Sequence, residues 1–290
     1  LSGGDKQAAM TSAELGNPAF AWVAEGAIDL RQVDTLKAFI EECPYPPAPP
    51  DVLTEEYWVS AEVARSQPQN PVEELVGQLL QRSDLTNIIG KDVAGANWSW
   101  HDYLDTDEPK VYHTDCNRRL VNFETVETNP QWSSVVYLTD EGGSTAIWRG
   151  NEFVAVQPCR GRYLVFKGDL AHGVLHAHEP LGRDRIILSI TWWMHDHEAT
   201  GVRERPVGPR LSTGGTATEL AMAAEPGSSC QLTAIRPIPY SVSFAEHRNE
   251  WGAQQLPAAL WVPRDIGKAP AHVAVAYADD VDDDWWRFGR

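Results

Sequence analysis

Apolar positions recur along this chain at two different periods, and the change of period divides it. From Asp29, a residue type that caps helix starts, Leu30, Val33, Leu36, Phe39 and Ile40 recur at helical spacing until Cys43. Pro44, Pro46, Pro47, Pro49 and Pro50 then end the helix, because proline has no N–H to donate and restricts the residue before it. Asn70-Pro71, a cap followed by proline at the first helical position, starts a second helix with Val72, Leu75, Val76, Leu79 and Leu80 on one face. From about Ile88 aromatic and β-branched residues alternate with polar ones, and this two-residue period predicts strands as far as Trp193. Only Ala19–Val23 looks packed before the first helix, and the first dozen residues read as loose. After Pro206 the pattern weakens to a short helix at Thr216–Glu225, strand-like pieces at Gln231–Ile235 and Ala271–Ala276, and an acidic run, Asp279–Asp284, that reads as a solvated tail.

The expected fold class is therefore mainly β with flanking helices (α+β). The chain divides into an N-terminal helical support region (1–87), a strand-rich core (88–198) and a C-terminal extension (199–290), a lid or self-association surface packed on the same domain. At 290 residues with 42% hydrophobic residues, a sizeable core can be buried. The net charge of −17, with no Lys/Arg run, makes nucleic acid and anionic membrane poor partners. Four cysteines without a C-x-x-C pair suit free thiols in a reducing compartment, and no apolar run is long enough to span a bilayer; the expectation is a cytoplasmic protein. A homodimer is allowed by this composition.

The strand-rich stretch also carries chemistry. His113 and Asp115 are two apart, so on one strand both side chains point to the same side and can chelate a single ion. With 9 His and 41 acidic residues, about one such pair arises by chance, so the pair alone is weak. Its weight comes from three pieces further along the chain: a strand Gly161–Phe166, a turn Lys167–Asp169, then His172 just beyond. Two imidazoles and a carboxylate leave three positions of an octahedral iron open for a cosubstrate and dioxygen.

In that order these pieces resemble the iron(II)- and 2-oxoglutarate-dependent oxygenases, within them the prolyl-hydroxylase-like branch, over about residues 100–195. The resemblance implies a double-stranded β-helix (jelly-roll, cupin-like) core, with His113, Asp115 and His172 as the catalytic iron ligands. It also implies that Arg185 pairs with the far carboxylate of 2-oxoglutarate and that the Tyr137 and Tyr103 hydroxyls contribute to the same cosubstrate site. A guanidinium suits that task, being always charged and able to form a bidentate fork. Gly142-Gly143 matches the family's turn. His176, with His178 close by, competes with His172, and Arg183 competes with Arg185; alternation favours Arg185, on the face of Ile187, Ser189, Thr191 and Trp193.

The implied cofactors are Fe(II), 2-oxoglutarate and O2, with ascorbate as reductant. The implied reaction hydroxylates a C–H bond of a small molecule, an amino acid or other metabolite, while 2-oxoglutarate becomes succinate and CO2. Halogenating relatives lack the carboxylate ligand, and Asp115 is present. The rival readings are a peptidyl (prolyl-type) hydroxylase, a catalytically silent β-helix binding module and a cupin-type isomerase. The last would not need a buried arginine opposite the metal. Trp98, Trp100, Trp132, Trp148 and Trp192 read chiefly as core, with some at a pocket wall. Arg118 and Arg119 lie close enough after the ligand pair to meet an acidic substrate group, or they face water, and His195-Asp196-His197 reads as an exposed loop.

Overall fold

The computed structural model describes residues 19–44, 56–104, 113–121, 124–150, 152–174, 182–196, 201–203, 205–209, 231–235 and 237–239. The expectations for the first dozen residues, the helix at Thr216–Glu225, the strand at Ala271–Ala276, the acidic run and the lid or self-association role of most of 206–290 lie outside them. In chain order the first elements are β1 (Ala21–Ala24), α1 (Leu30–Glu42), β2 (Tyr57–Ser60), α2 (Ala61–Ser66), α3 (Pro71–Leu79) and α4 (Ser83–Ile89). Then come β3 (Gly95–Leu104), β4 (Asn117–Val121), β5 (Glu124–Thr128), β6 (Trp132–Tyr137), β7 (Thr145–Arg149) and β8 (Glu152–Val156). The series ends with β9 (Tyr163–Lys167), β10 (His172–Val174), β11 (Asp184–Trp193), β12 (Thr233–Ala234) and β13 (Ile238–Pro239).

The two helices that periodicity predicts have the caps expected of them. Asp29 accepts from the Arg31 N–H at 2.8 Å, and Asn70 accepts from the Glu73 N–H at 2.9 Å ahead of Pro71. Val33, Leu36, Phe39 and Ile40 of α1 are buried; Leu30, expected on the same face, sits in the first turn and is exposed. The strand-rich stretch begins later than the composition shift at Ile88, because α4 continues through that residue and β3 opens at Gly95, while β1 and β2, within the region expected to be helical support, join the seven-stranded sheet.

A seven-stranded sheet has the order β12-β1-β9-β6-β11-β3-β2, and a four-stranded sheet the order β10-β7-β8-β13; β4 and β5 form a hairpin. All their pairings are antiparallel. The chain alternates between the sheets: β6 lies in the larger, β7 and β8 in the smaller, β9 in the larger, β10 in the smaller and β11 in the larger. An isolated antiparallel bridge between His113 and His172 sets the segment before β4 beside β10. This winding is a double-stranded β-helix with helices on one side: a mainly β chain with flanking helices.

Strand alternation produces two cores. Val135 and Tyr137, Leu164 and Phe166, and Ile187 face Ile147, Val154 and Val156 across the gap between the sheets. Their neighbours Val136, Leu138, Tyr163, Val165, Leu188, Ile190 and Trp192 point the other way, against Val33, Leu36, Leu75, Val76 and Leu79 of the helices. Trp98, Trp100, Trp132 and Trp192 belong to this helix-facing core, where Trp98 packs on Tyr57 at 4.6 Å between ring centroids. Trp148 is buried on β7.

The strand expected at Gln231–Ile235 is present as β12, which pairs with β1, while β13 pairs with β8. Residues 233–234 thus lie at an edge of one sheet and 238–239 at an edge of the other, and Ile235 is buried in the inner core. Among the described residues no helix is long and apolar enough to cross a membrane.

Candidate metal and cosubstrate site

The site is built beside β10, where the His113 segment bridges to His172. His113 and His172 face each other across their bridge, exchanging backbone hydrogen bonds of 2.9 and 2.8 Å, and directly opposed residues of an antiparallel pair project to one side. Their rings lie 4.4 Å apart, and Asp115 Oδ1 sits 3.7 Å from His113 Nε2 and 3.4 Å from His172 Nε2. One ligand atom from each residue falls within 4.8 Å of the others. His172 Nδ1 is 3.1 Å from the Leu170 carbonyl, so the proton on Nδ1 is donated there and the Nε2 lone pair faces the cluster, as a metal-binding imidazole requires. The Phe166 ring packs on His172 at 4.8 Å. Burial works to raise the Asp115 pKa, but the two imidazoles, and Ser133 beside it, outweigh burial and hold the carboxyl far below the usual range. The donor set is two imidazoles and a carboxylate that stays ionised, which fits a divalent iron with open positions.

The second half of the site is a buried cation. On β11 Arg185 shares the inward face of Ile187 and is 0% exposed, whereas Arg183 lies ahead of the strand and pairs with Glu141 at 3.3 Å. Arg185 Nε donates to the Gly143 carbonyl at 3.3 Å and Nη2 to Thr145 Oγ1 at 3.1 Å. Its Nη1 is buried with no hydrogen-bond partner among the described residues, and so is the hydroxyl of Tyr103, which stands opposite Arg185 in the β3–β11 register. The guanidinium lies 5.2 Å from the Tyr103 ring centroid and 5.8 Å from that of Tyr137. Burial pushes the Tyr103 phenol up to about 12 against the opposing pull of Arg185, and burial raises Tyr137 as well, so both hydroxyls keep their protons at neutral pH. A buried guanidinium held only by neutral groups is costly unless an anion completes it.

The Tyr137 hydroxyl is not free: it donates to Thr145 Oγ1 at 2.8 Å and lies 3.3 Å from the Val156 carbonyl. Thr145 therefore accepts from both Tyr137 and Arg185, which leaves its own proton to donate elsewhere. Sequence reasoning missed Thr145, since a threonine opening a strand carries no spacing signal. Gly142, at φ +90°, lies against Arg185, and a Cβ there would overlap the arginine side chain. The glycine turn thus has both a backbone and a packing reason.

The two halves are close along β7 and β10. Ile147 stands opposite His172 and Thr145 opposite Val174. Thr145, which bonds the guanidinium, is thus one side-chain pair, about 7 Å, along the sheet from the position opposite His172. Of the competing residues, His176, His178 and His197 lie outside the described residues; His195 is exposed and His101 half-buried on β3.

No family model matches the chain, and no curated protein matches it. Among solved structures the chain is similar to a Pseudomonas putida prolyl-4-hydroxylase, at 19% identity over 60% of this chain and 92% of that one, TM-score 0.41. It is also similar to a 2OG-Fe(II) oxygenase family oxidoreductase from Burkholderia pseudomallei, at 18% identity over 63% and 88%, TM-score 0.40. A third is iron-bound HygX from Streptomyces hygroscopicus, at 14% identity over 64% and 87%, TM-score 0.40. Likenesses at this level assign no activity to this chain.

Proposed function

We propose that this protein is an iron(II)- and 2-oxoglutarate-dependent dioxygenase that hydroxylates a C–H bond of a small molecule, a free amino acid or another metabolite. The observation that carries the proposal is the buried Arg185, its Nη1 and the neighbouring Tyr103 hydroxyl without partners among the described residues, set beside a two-histidine, one-carboxylate cluster. His113, Asp115 and His172 would hold the iron. Bound iron(II) supplies the redox chemistry in which one oxygen atom of O2 ends in succinate, the other in the substrate alcohol, and CO2 leaves. Arg185 and Tyr103 would take the far carboxylate of 2-oxoglutarate by charge-assisted and neutral hydrogen bonds, with the Thr145 hydroxyl as a further donor. Tyr137 acts through Thr145, fixing which way that hydroxyl points. Ascorbate would serve as reductant between turnovers.

The test is a titration of 2-oxoglutarate into the manganese-loaded, anaerobic protein. Arg185→Leu should weaken binding about 10–100-fold, the worth of one to two hydrogen bonds to a charged group, and should abolish succinate release in a metabolite screen supplied with iron, ascorbate and air. Wild-type affinity in the variant would remove the proposal's basis. In the same screen, a proline-containing peptide that alone elicits succinate would replace the small-molecule class by a peptidyl one.

A further inference from the structure

Apart from the three ligands, one buried polar group of this molecule is tied to the segment that carries them and is left unexplained by cosubstrate binding. Asn97, on β3, is 0% exposed, and its amide nitrogen makes two hydrogen bonds: 2.9 Å to Glu56 Oε2 and 3.1 Å to Asn117 Oδ1. Asn117 is also buried and lies two residues beyond Asp115. The Asn97 carbonyl oxygen is buried without a partner among the described residues, and the backbone of Gly201 presses on it so closely that a Cβ at 201 would overlap it. The same stretch hydrogen-bonds along β2, Val202 N–H to the Glu56 carbonyl at 2.7 Å and Trp58 N–H to the Val202 carbonyl at 2.9 Å. On its other side, Asn129 Nδ2 donates to the Asp115 carbonyl at 2.7 Å.

These contacts define a division of labour. The backbone of His113 is pinned by its bridge to His172, but Asp115 lies in an irregular stretch with no ladder partner of its own among the described residues. Asn129 holds its carbonyl, and on its C-terminal side the chain is held at Asn117. We infer that Asn97 is a positioning residue for the carboxylate ligand: by bridging Asn117 to Glu56, with Gly201 packed over it, it fixes the chain just after Asp115. Buried amides that must be satisfied are directional in a way apolar packing is not, so this network specifies one placement of the segment. Partners beyond the ligand shell are commonly worth 10–100-fold in metal affinity.

The inference rests on the metal reading of the triad, and one experiment separates the two. Cobalt(II) is titrated anaerobically into the full-length protein, following its d–d absorption, with the melting temperature of each metal-free variant measured in parallel. The wild type should bind one ion and His113→Ala none. Asn97→Leu and Asn117→Leu, close in size but unable to complete the bridge, should raise the Kd about 10–100-fold and shift the d–d band. Wild-type affinity in the Leu variants would overturn the inference while leaving the metal reading intact. Failure of the wild type to bind cobalt would overturn both. If the Leu variants do not fold, Gly201→Ala, which retains every polar group but displaces Asn97, decides by the same Kd.

Discussion

Thr145 is the residue on which the cosubstrate half of the site turns. Its hydroxyl accepts from Arg185 at 3.1 Å and from Tyr137 at 2.8 Å, so it both orients the guanidinium and holds a proton ready for an incoming carboxylate. Thr145→Val keeps the shape and removes all three roles. We expect it to weaken 2-oxoglutarate binding about 10-fold, the scale of one lost hydrogen bond, and to lower the melting temperature by a few degrees, because the buried Arg185 Nη2 loses its acceptor. Unchanged binding would show the hydroxyl to be purely internal. The contrast with the charged residues says what a sequence can carry at this scale. His113 and Asp115 stand out because a two-residue spacing has a geometric meaning on a strand, although only His113 makes a strand-type bridge and Asp115 lies in an irregular stretch. Arg183 and Arg185 share a parity, so alternation does not separate them; what does is that Arg183 falls ahead of β11, where it meets Glu141. Thr145, Asn97 and Asn117 have no such spacing. They matter through partners far away in the chain, and nothing local in the sequence marks a threonine or asparagine as buried and bonded.

At the scale of elements the same logic separates what was legible from what was not. α1 and α3 are long enough for a cap and several apolar repeats to agree, whereas α2 and α4 are one to two turns and offer too few positions for a period to show. The edge strands β2, β12 and β13 are short, and they are strands because of the neighbours they pair with. The returning segment 231–239 is an example with a measurable tie. The Leu232 N–H donates to Asp84 at 2.9 Å, and Asp84 also pairs with Arg82 at 2.7 Å, joining the segment to α4. Burial works to raise the Asp84 pKa, but the Arg82 side chain and the backbone N–H groups of Leu232 and Leu85 outweigh it and hold the carboxyl below its ordinary value. A carboxylate depressed in this way stabilises the fold fully above the unfolded-state pKa of about 4, and loses that contribution as pH falls through the lower folded-state value. Asp84→Asn should therefore lower the melting temperature at pH 7, and the gap from wild type should close as pH is taken below about 4. A gap that stays constant into acid would contradict the tie.

For the molecule as a whole, the double-stranded winding explains why ligands separated by more than half a hundred residues meet. The chain must return to the smaller sheet as β10, beside the His113 segment, before it can cross to the larger sheet as β11, and that crossing brings His172 and then Arg185 to one interior. The helices contribute differently, by packing the far face of the larger sheet and so fixing the wall on which Tyr103 and Arg185 stand. The strand-rich stretch and its ligands were legible because periodicity extends over many residues there. The pairing of residues 233–234 and 238–239 was not, because it depends on sheet edges that only the assembled fold defines. Whether one interior holds a metal and a chelated 2-oxoacid together is tested most directly by adding iron(II) and then 2-oxoglutarate to the anaerobic protein. A weak visible metal-to-ligand charge-transfer band should appear only when both are present and should be absent in His113→Ala. Folded, iron-loaded wild-type protein that gives no such band would contradict chelation at this site and favour a binding module that has kept the fold without the chemistry.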